Sequence, residues 1–259
     1  MATPEASLIT YDVADHVATI TFNRPEKRNA MTRAMLGDFA ASVERASADD
    51  DAWVVIVTGS GGSFCAGFDL SDLSNEDAGQ RGASSVPPWF LLRCTKPVIG
   101  AIDGVAVGMG AEFTSLCDVR IASTSARFAW NFTARGLVPD TGAGSWMLPR
   151  LIGPSRALRL LYSASSLDAR SALDIGYVTE VVEPDSLTEA ARREALAWTA
   201  NAPFAMSRVR QLVYGGLERT VDEHLVAHRK LLAECFATSD HVEGVAAFLE
   251  RRPPRFSGS

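Results

Sequence analysis

An α/β core followed by a helical C-terminal region is the fold that this sequence predicts, and three observations predict it. Short apolar runs bounded by Gly, Pro or Asp, such as Trp53 to Thr58 (WVVIVT) and Val98 to Ile102, read as strands of a sheet covered on both faces. Stretches with helical spacing separate them, beginning with Met35, Leu36, Phe39, Ala40 and Val43. From Asp185 onward the pattern is helical throughout, so the strands alternate with helices early and give way to helices alone. The expected division is a core over 1–195 and a helical region over 196–259. With 259 residues, 47% of them hydrophobic, the chain has material for a sizeable core.

In order along the chain, Leu8 to Tyr11 and Val17 to Phe22 read as a hairpin with its turn at Asp15. A polar loop, Asn23 to Asn29, carries three cations in five residues, and Thr32 can cap the helix after it. The strand at 53–58 runs into the glycine-rich loop Gly59 to Asp69. Residues 74–88 are polar, with Gly and Pro, and read as a mobile connection. A short helix, Trp89 to Cys94, leads into the strand Val98 to Ile102. A helix from Ala111 to Cys117 follows, then strands at Val119 to Ala122 and Arg127 to Phe128, and a helix from Ser145 to Leu151. Ser155 and Asp168 read as helix N-caps, and Gly176 as a C-cap before a strand from Tyr177 to Val182. Ser186 with Glu189, and Thr220 with Glu223, have capping-box spacing.

The formal net charge of −6 offers no global basic field, which argues against nucleic acid or an anionic membrane as partner. Cys65, Cys94, Cys117 and Cys235 are widely spaced with no CxxC pair, which argues against a zinc site or a disulfide framework and fits a reducing cytoplasm. The N-terminal segment has neither a basic n-region nor an apolar h-region, and no stretch approaches eighteen uninterrupted apolar residues, so a soluble, unexported protein is expected. His224 and His228 share a helical spacing without the intervening Glu of a zinc-protease motif, and no GxSxG elbow is present. The GxG at 108–110 lacks the third glycine of a dinucleotide fingerprint.

The stretch Lys96 to Asp118 (KPVIGAIDGVAVGMGAEFTSLCD) carries the chemistry. A turn at Gly108-Met109-Gly110 feeds a helix N-terminus, whose backbone N–H groups lack partners and suit a negatively charged oxygen. Glu112 stands in the first helical turn of an apolar segment, placed to act as an acid or base toward a carbonyl held by such an N–H. The plainer alternative is an ion pair with Arg120 or Arg127.

Six motifs in this order and spacing resemble the crotonase superfamily, the enoyl-CoA hydratase/isomerase family: NRPEKRNAM (23–31), TGSGGSFCAGFDL (58–70), KPVIGAIDGVAVGMGAEF (96–113), CDVRIAS (117–123), RGLVPDTGAG (135–144) and LDARSALDIGYVTEVV (167–182). The resemblance implies a repeated ββα spiral core with a helical trimerisation region, assembled as a homotrimer or hexamer. It implies an acyl-CoA substrate and no separate cofactor or metal. Two backbone N–H groups would hold the thioester oxygen as an enolate forms, and residue by residue they fall on Phe68 and Met109. Coenzyme A would meet Arg24, Lys27 and Arg28 through its phosphates, the Ala66 carbonyl through its adenine, and Arg251, Arg252 and Arg255 as further phosphate contacts.

Hydratases of the family use two glutamates. The first matches Glu112, whereas the second aligns with Phe132 in FAWNFTARG. Asp140, in the VPDTG segment, matches the position where several double-bond isomerases of the family carry their base. The resemblance therefore implies isomerase-type proton shuttling by Asp140 with Glu112 assisting. Hydration through Glu112, with Asp140 standing in for the second glutamate, is the alternative, and binding of acyl-CoA without chemistry is another. Outside the resemblance, Asp140 reads as a helix N-cap.

Overall fold

The computed structural model of the chain describes residues 7–69 and 89–259, so the expected connection at 74–88 lies outside the described residues. β1 (Ile9–Ala14) and β2 (Val17–Phe22) form the antiparallel hairpin, closed by Asp15 and His16 at φ of 51° and 61°. Left-handed angles at both turn residues give a turn whose twist matches that of the strands. From β2 the sheet continues in parallel through β3 (Val54–Gly59), β4 (Val98–Ile102), β6 (Val119–Ser123) and β9 (Glu180–Val182). In a second sheet β5 (Val105–Val107) pairs in parallel with β7 (Arg127–Ala129), and β7 pairs antiparallel with β8 (Leu167–Asp168).

The chain climbs between the two sheets. β4 lies in the first and β5 in the second, and the helix α3 (Met109–Ser115) returns it to β6 in the first and then β7 in the second. This strand, strand, helix repetition is the expected ββα pattern. Parallel neighbours require such crossovers, and it is at their turns that backbone is left unpaired.

Two apolar layers fix the sheets. α1 (Arg33–Ala48), capped by the Thr32 hydroxyl accepting from the Met35 N–H at 3.2 Å, buries Met35, Leu36, Phe39, Val43 and Ala46. Phe39 meets Phe22 and Phe113 edge-on, with ring centroids 4.7 and 5.2 Å apart. On the opposite face α8 (Leu187–Thr199) lays Leu187, Ala190, Ala191 and Ala195 over Val54, Ile56, Ile99 and Ile121. This helix runs across the expected boundary between 195 and 196. Beyond it α9 (Pro203–Gly216), α10 (Val221–Phe236) and α11 (Ser239–Glu250) bury few side chains of their own.

Several local expectations shift. The helix expected from Ser145 is split into α4 (Ala143–Trp146) and α5 (Leu148–Ile152), since Pro149 has no N–H with which to continue the ladder. Ser155 sits inside the first turn of α6 (Pro154–Ser163) and is not its cap, because Pro154 already occupies the first helical position. Asp168 does cap α7 (Ala169–Asp174), accepting from the Ser171 N–H at 2.8 Å, and Gly176 follows that helix at φ 75°. The strand expected from Tyr177 begins only at Glu180, because the Tyr177 and Val178 N–H groups donate to the Ala172 carbonyl at the end of α7. Ser186 closes a 3-10 turn and accepts no N–H, whereas Thr220 and Glu223 form the complete capping box.

Candidate active site

Two glycine turns are stitched together at the head of the sheets. The Cys65 N–H donates to the Val105 carbonyl and the Val107 N–H to the Cys65 carbonyl, each at 2.9 Å, so the segments 65–68 and 105–109 run side by side. Gly67 (φ 98°) and Gly108 (φ 54°) both hold left-handed backbone, and a Cβ on Gly67 would stand 2.9 Å from the Val107 carbonyl oxygen. Only glycine permits both the angle and the approach. The residues after these glycines are Phe68 and Met109, which the fold thus brings together. Gly67 and Asp69 face Met31, through Met31 N–H to Gly67 O at 2.8 Å and Asp69 N–H to Met31 O at 2.9 Å. Met109 opens α3, so its N–H has no partner within the helix. Among the described residues neither the Phe68 nor the Met109 N–H meets an acceptor.

One turn into α3, Glu112 is 0% exposed. Its Oε2 accepts from the Thr141 hydroxyl at 2.6 Å, while Oε1 is buried with no partner. Burial pushes its carboxyl from the usual carboxylate range up to about 7; the Thr141 hydroxyl and the Gly144 N–H pull it down, and the Asp140 charge pushes it up. Asp140 is not a helix cap, since Gly142 caps α4. It retains an exposed surface, yet enough protein surrounds its carboxyl for desolvation to raise it to about 6, against the Thr141 N–H and its own, which lower it. The Asp140 charge thus reaches the Glu112 carboxyl. Phe132, at 7% exposure, points its ring edge toward the turn, with Cζ 3.9 Å from where a Gly108 Cβ would be. The ion pair considered for Glu112 is not formed: Arg120 donates to the carbonyls of Tyr177, Thr114 and Cys117, and Arg127 to those of Thr124 and Ala126.

Sequence reasoning passed over the groups that hold these carboxylates. Thr141 is the direct neighbour of Asp140 and bonds Glu112 across the fold. Its carbonyl accepts from the Trp89 indole N–H at 2.6 Å, and its Oγ1 accepts from the Ala143 N–H at 3.3 Å. Trp89 sits at φ 63°, an uncommon angle for a bulky residue, and faces Trp146 with centroids 5.0 Å apart. Gly144 leaves room for Glu112, because a Cβ there would lie 2.3 Å from Oε1. The VPDTGAG segment holds Asp140, Thr141 and Gly144, but only the folded chain shows which way they face.

The cationic loop is tied to the same place. Arg24 donates to Asp69 Oδ2 at 2.7 Å and to the Ala30 carbonyl at 3.0 Å, so its guanidinium braces the residue after Phe68. Lys27 and Arg28 are exposed, and the Ala66 N–H donates to the Arg28 carbonyl at 3.0 Å. The buried Asn29 locks the loop down, donating to the Ser60 and Ser63 carbonyls at 2.9 and 2.6 Å and accepting from the Arg24 N–H at 2.8 Å. Of the C-terminal arginines, Arg252 is paired with Glu243 and Glu250. Among the described residues no cluster of His, Cys, Asp or Glu could hold a metal ion.

Comparison with known proteins shows the family and the fold. The sequence profile of the enoyl-CoA hydratase/isomerase family matches residues 12–259. A probable enoyl-CoA hydratase of Rhodobacter capsulatus is 36% identical over 255 residues, covering 96% of this chain and 98% of the relative. The 1,2-epoxyphenylacetyl-CoA isomerase of Escherichia coli is 34% identical, covering 93% of this chain and 95% of the relative. Among solved structures, an enoyl-CoA hydratase from Bacillus anthracis superimposes with a TM-score of 0.93 at 32% identity, over 98% of this chain and all of the other. The chain has the crotonase fold and belongs to the enoyl-CoA hydratase/isomerase family of acyl-CoA-processing enzymes.

Proposed function

We propose that the enzyme moves a double bond within an acyl-CoA thioester by shuttling a proton on Asp140. The thioester oxygen sits between the Phe68 and Met109 N–H groups, which stabilise the enolate as it forms; losing one such donor typically costs about 2.7–4 kcal/mol in the transition state. Asp140 takes a proton from the carbon between thioester and alkene and returns it at the far end of the dienolate. Glu112 assists in its protonated form, so that one negative charge, not two, faces the developing enolate. The observation that carries this reading is the carboxylate arrangement: burial, with the Asp140 charge added, holds the Glu112 carboxyl up at about 7, while Phe132 puts a ring where a second glutamate would hold water. An isomerase among the relatives, named for an epoxyphenylacetyl-CoA, supports isomerisation of an acyl-CoA as the class of reaction.

Hydration is the second reading. The hydratases named among the relatives favour it equally, and so does the unpartnered Oε1 of Glu112, which has capacity to accept from a water. Supplying β,γ-unsaturated and α,β-unsaturated acyl-CoA separately and following absorbance distinguishes conjugation from hydration. Under the isomerase reading the rate of conjugation rises with pH through about 6 and falls through about 7, following Asp140 and Glu112. Asp140→Asn lowers kcat by about 10²–10⁴-fold and removes the rising limb; full activity in that variant refutes the assignment.

In this reading coenzyme A lies across the loop at 24–29. Lys27 and Arg28 supply exposed cations for its phosphates, Arg24 holds the loop through Asp69, and the Ala66 carbonyl, which accepts no backbone N–H among the described residues, receives the adenine. Assembly as a homotrimer or hexamer is supported by the apolar residues on the outer helices, among them Val226, Val242, Phe248 and Leu249. The four free cysteines, three of them buried, suit a reducing cytoplasm, and among the described residues no helix is long and apolar enough to cross a membrane.

A further inference from the structure

We propose that Thr141 is a positioning residue that gives Glu112 a single working oxygen, confining its exchange of a proton with substrate or water to Oε1. The inference rests on the role given to Glu112 above and specifies how the carboxyl is directed.

Thr141 is held at three points. Its carbonyl accepts from the Trp89 indole, its Oγ1 accepts from the Ala143 N–H, and its hydroxyl donates to Glu112 Oε2 at 2.6 Å. A hydroxyl carries one proton. With an N–H already pointing at the Thr141 oxygen, that proton is aimed at Oε2. Oε2 thus receives a fixed donor, and a proton on the acid form of Glu112 goes to Oε1.

The surroundings of Oε1 fit this division. No donor meets it in hydrogen-bond geometry, although the Gly144 and Ala143 N–H groups stand near enough to the carboxyl to lower its pKa, and the indole Nε1 of Trp130 is likewise without a partner. Both groups flank Gly144: the point where a Cβ would stand is 2.3 Å from Oε1 and 3.0 Å from Trp130 Cδ1. An acceptor and a donor, each unsatisfied, occupy one small region that glycine keeps open. Buried polar groups are rarely left so unless a ligand, water or reacting atom completes them. Any such group meets Oε1, because Thr141 covers its twin. A carboxyl with two equivalent oxygens would deliver a proton along either of two directions, whereas this one has a single direction.

The test combines Thr141→Val and Thr141→Ser with Glu112→Gln in a double-mutant cycle. Glu112 is titrated by ¹³C NMR of side-chain-labelled glutamate, its signal assigned by its loss in Glu112→Gln, and the pH profile of turnover is measured in parallel. Thr141→Val removes a donor to the carboxylate form, so the titration midpoint and the falling limb of the rate profile both move up by about one pH unit. Thr141→Ser leaves both where they are, and Thr141→Val does not slow the Glu112→Gln enzyme further. An unmoved titration in Thr141→Val, or an equal slowing in the Glu112→Gln background, overturns the proposal. A shifted titration with an unshifted rate profile upholds the hold of Thr141 on the carboxyl and overturns the role of Glu112 in turnover, so the two failures are told apart.

Discussion

Burying the carboxyl of Glu112 makes the stability of the enzyme depend on pH. Its folded value of about 7 lies above the 4.5 of an ordinary glutamate, so between these values the folded chain binds more protons than the unfolded one. Stability then falls as pH rises through this window and stays low above it. Glu112→Gln, which keeps the shape and removes the charge, is expected to stabilise the fold at pH 8 by about 2–3 kcal/mol, and to change little at pH 4. Thermal unfolding of both proteins at the two pH values measures this, and an equal difference at both would contradict it. Glu112 was legible in the sequence, because its glycine turn and helix start are contiguous with it. Thr141, Trp89 and Gly144 were not, because each acts across the fold from its own place in the chain. Arg24 was legible only as a cation, and its pairing with Asp69 depends on two loops meeting.

Among the elements, α2 (Phe90–Arg93) is one helical turn and cannot persist alone. Arg210 of α9 supplies what it lacks. Buried itself, its guanidinium donates to the Leu91 and Leu92 carbonyls at 3.0 and 2.8 Å, to the Cys94 carbonyl, and to Asp118 at 2.9 Å. Asp118 in turn accepts from the Val98 N–H at 2.7 Å and the Tyr214 hydroxyl at 2.5 Å. One side chain thereby joins the C-terminal helices, the end of α2 and the start of β4. Arg210→Met strands the half-buried Asp118 carboxylate and several carbonyls, and is expected to cost about 3 kcal/mol, read as a lower urea midpoint. A change of less than about 1 kcal/mol would show that water replaces the guanidinium. The helices and central strands were legible from periodicity. The break at Pro149 was written in the sequence as a proline inside the expected helix and was passed over, whereas that at Tyr177 was not legible, since local backbone bonding there competes with the apolar pattern.

For the whole molecule, the outer helices expose more apolar surface than an isolated domain needs. Phe248 is 83% exposed, with Leu249, Val242 and Val226 also largely open. Exposure of this kind supports the assembly proposed above. Phe248→Asp combined with Leu249→Lys is therefore expected to lower the assembled mass toward that of one chain in sedimentation analysis, and an unchanged mass would place the contact elsewhere. The two-sheet topology was only partly legible, because β5, β7 and β8 are two or three residues long and their alternation is too brief to read. A consequence of another kind lies in the facing rings of Trp89 and Trp146. At 5.0 Å their electronic transitions couple, and the first of them is hydrogen-bonded to the residue beside Asp140. The loop that carries Asp140 thus has a built-in chromophore pair beside it, whose near-ultraviolet circular dichroism reports its position without any added label.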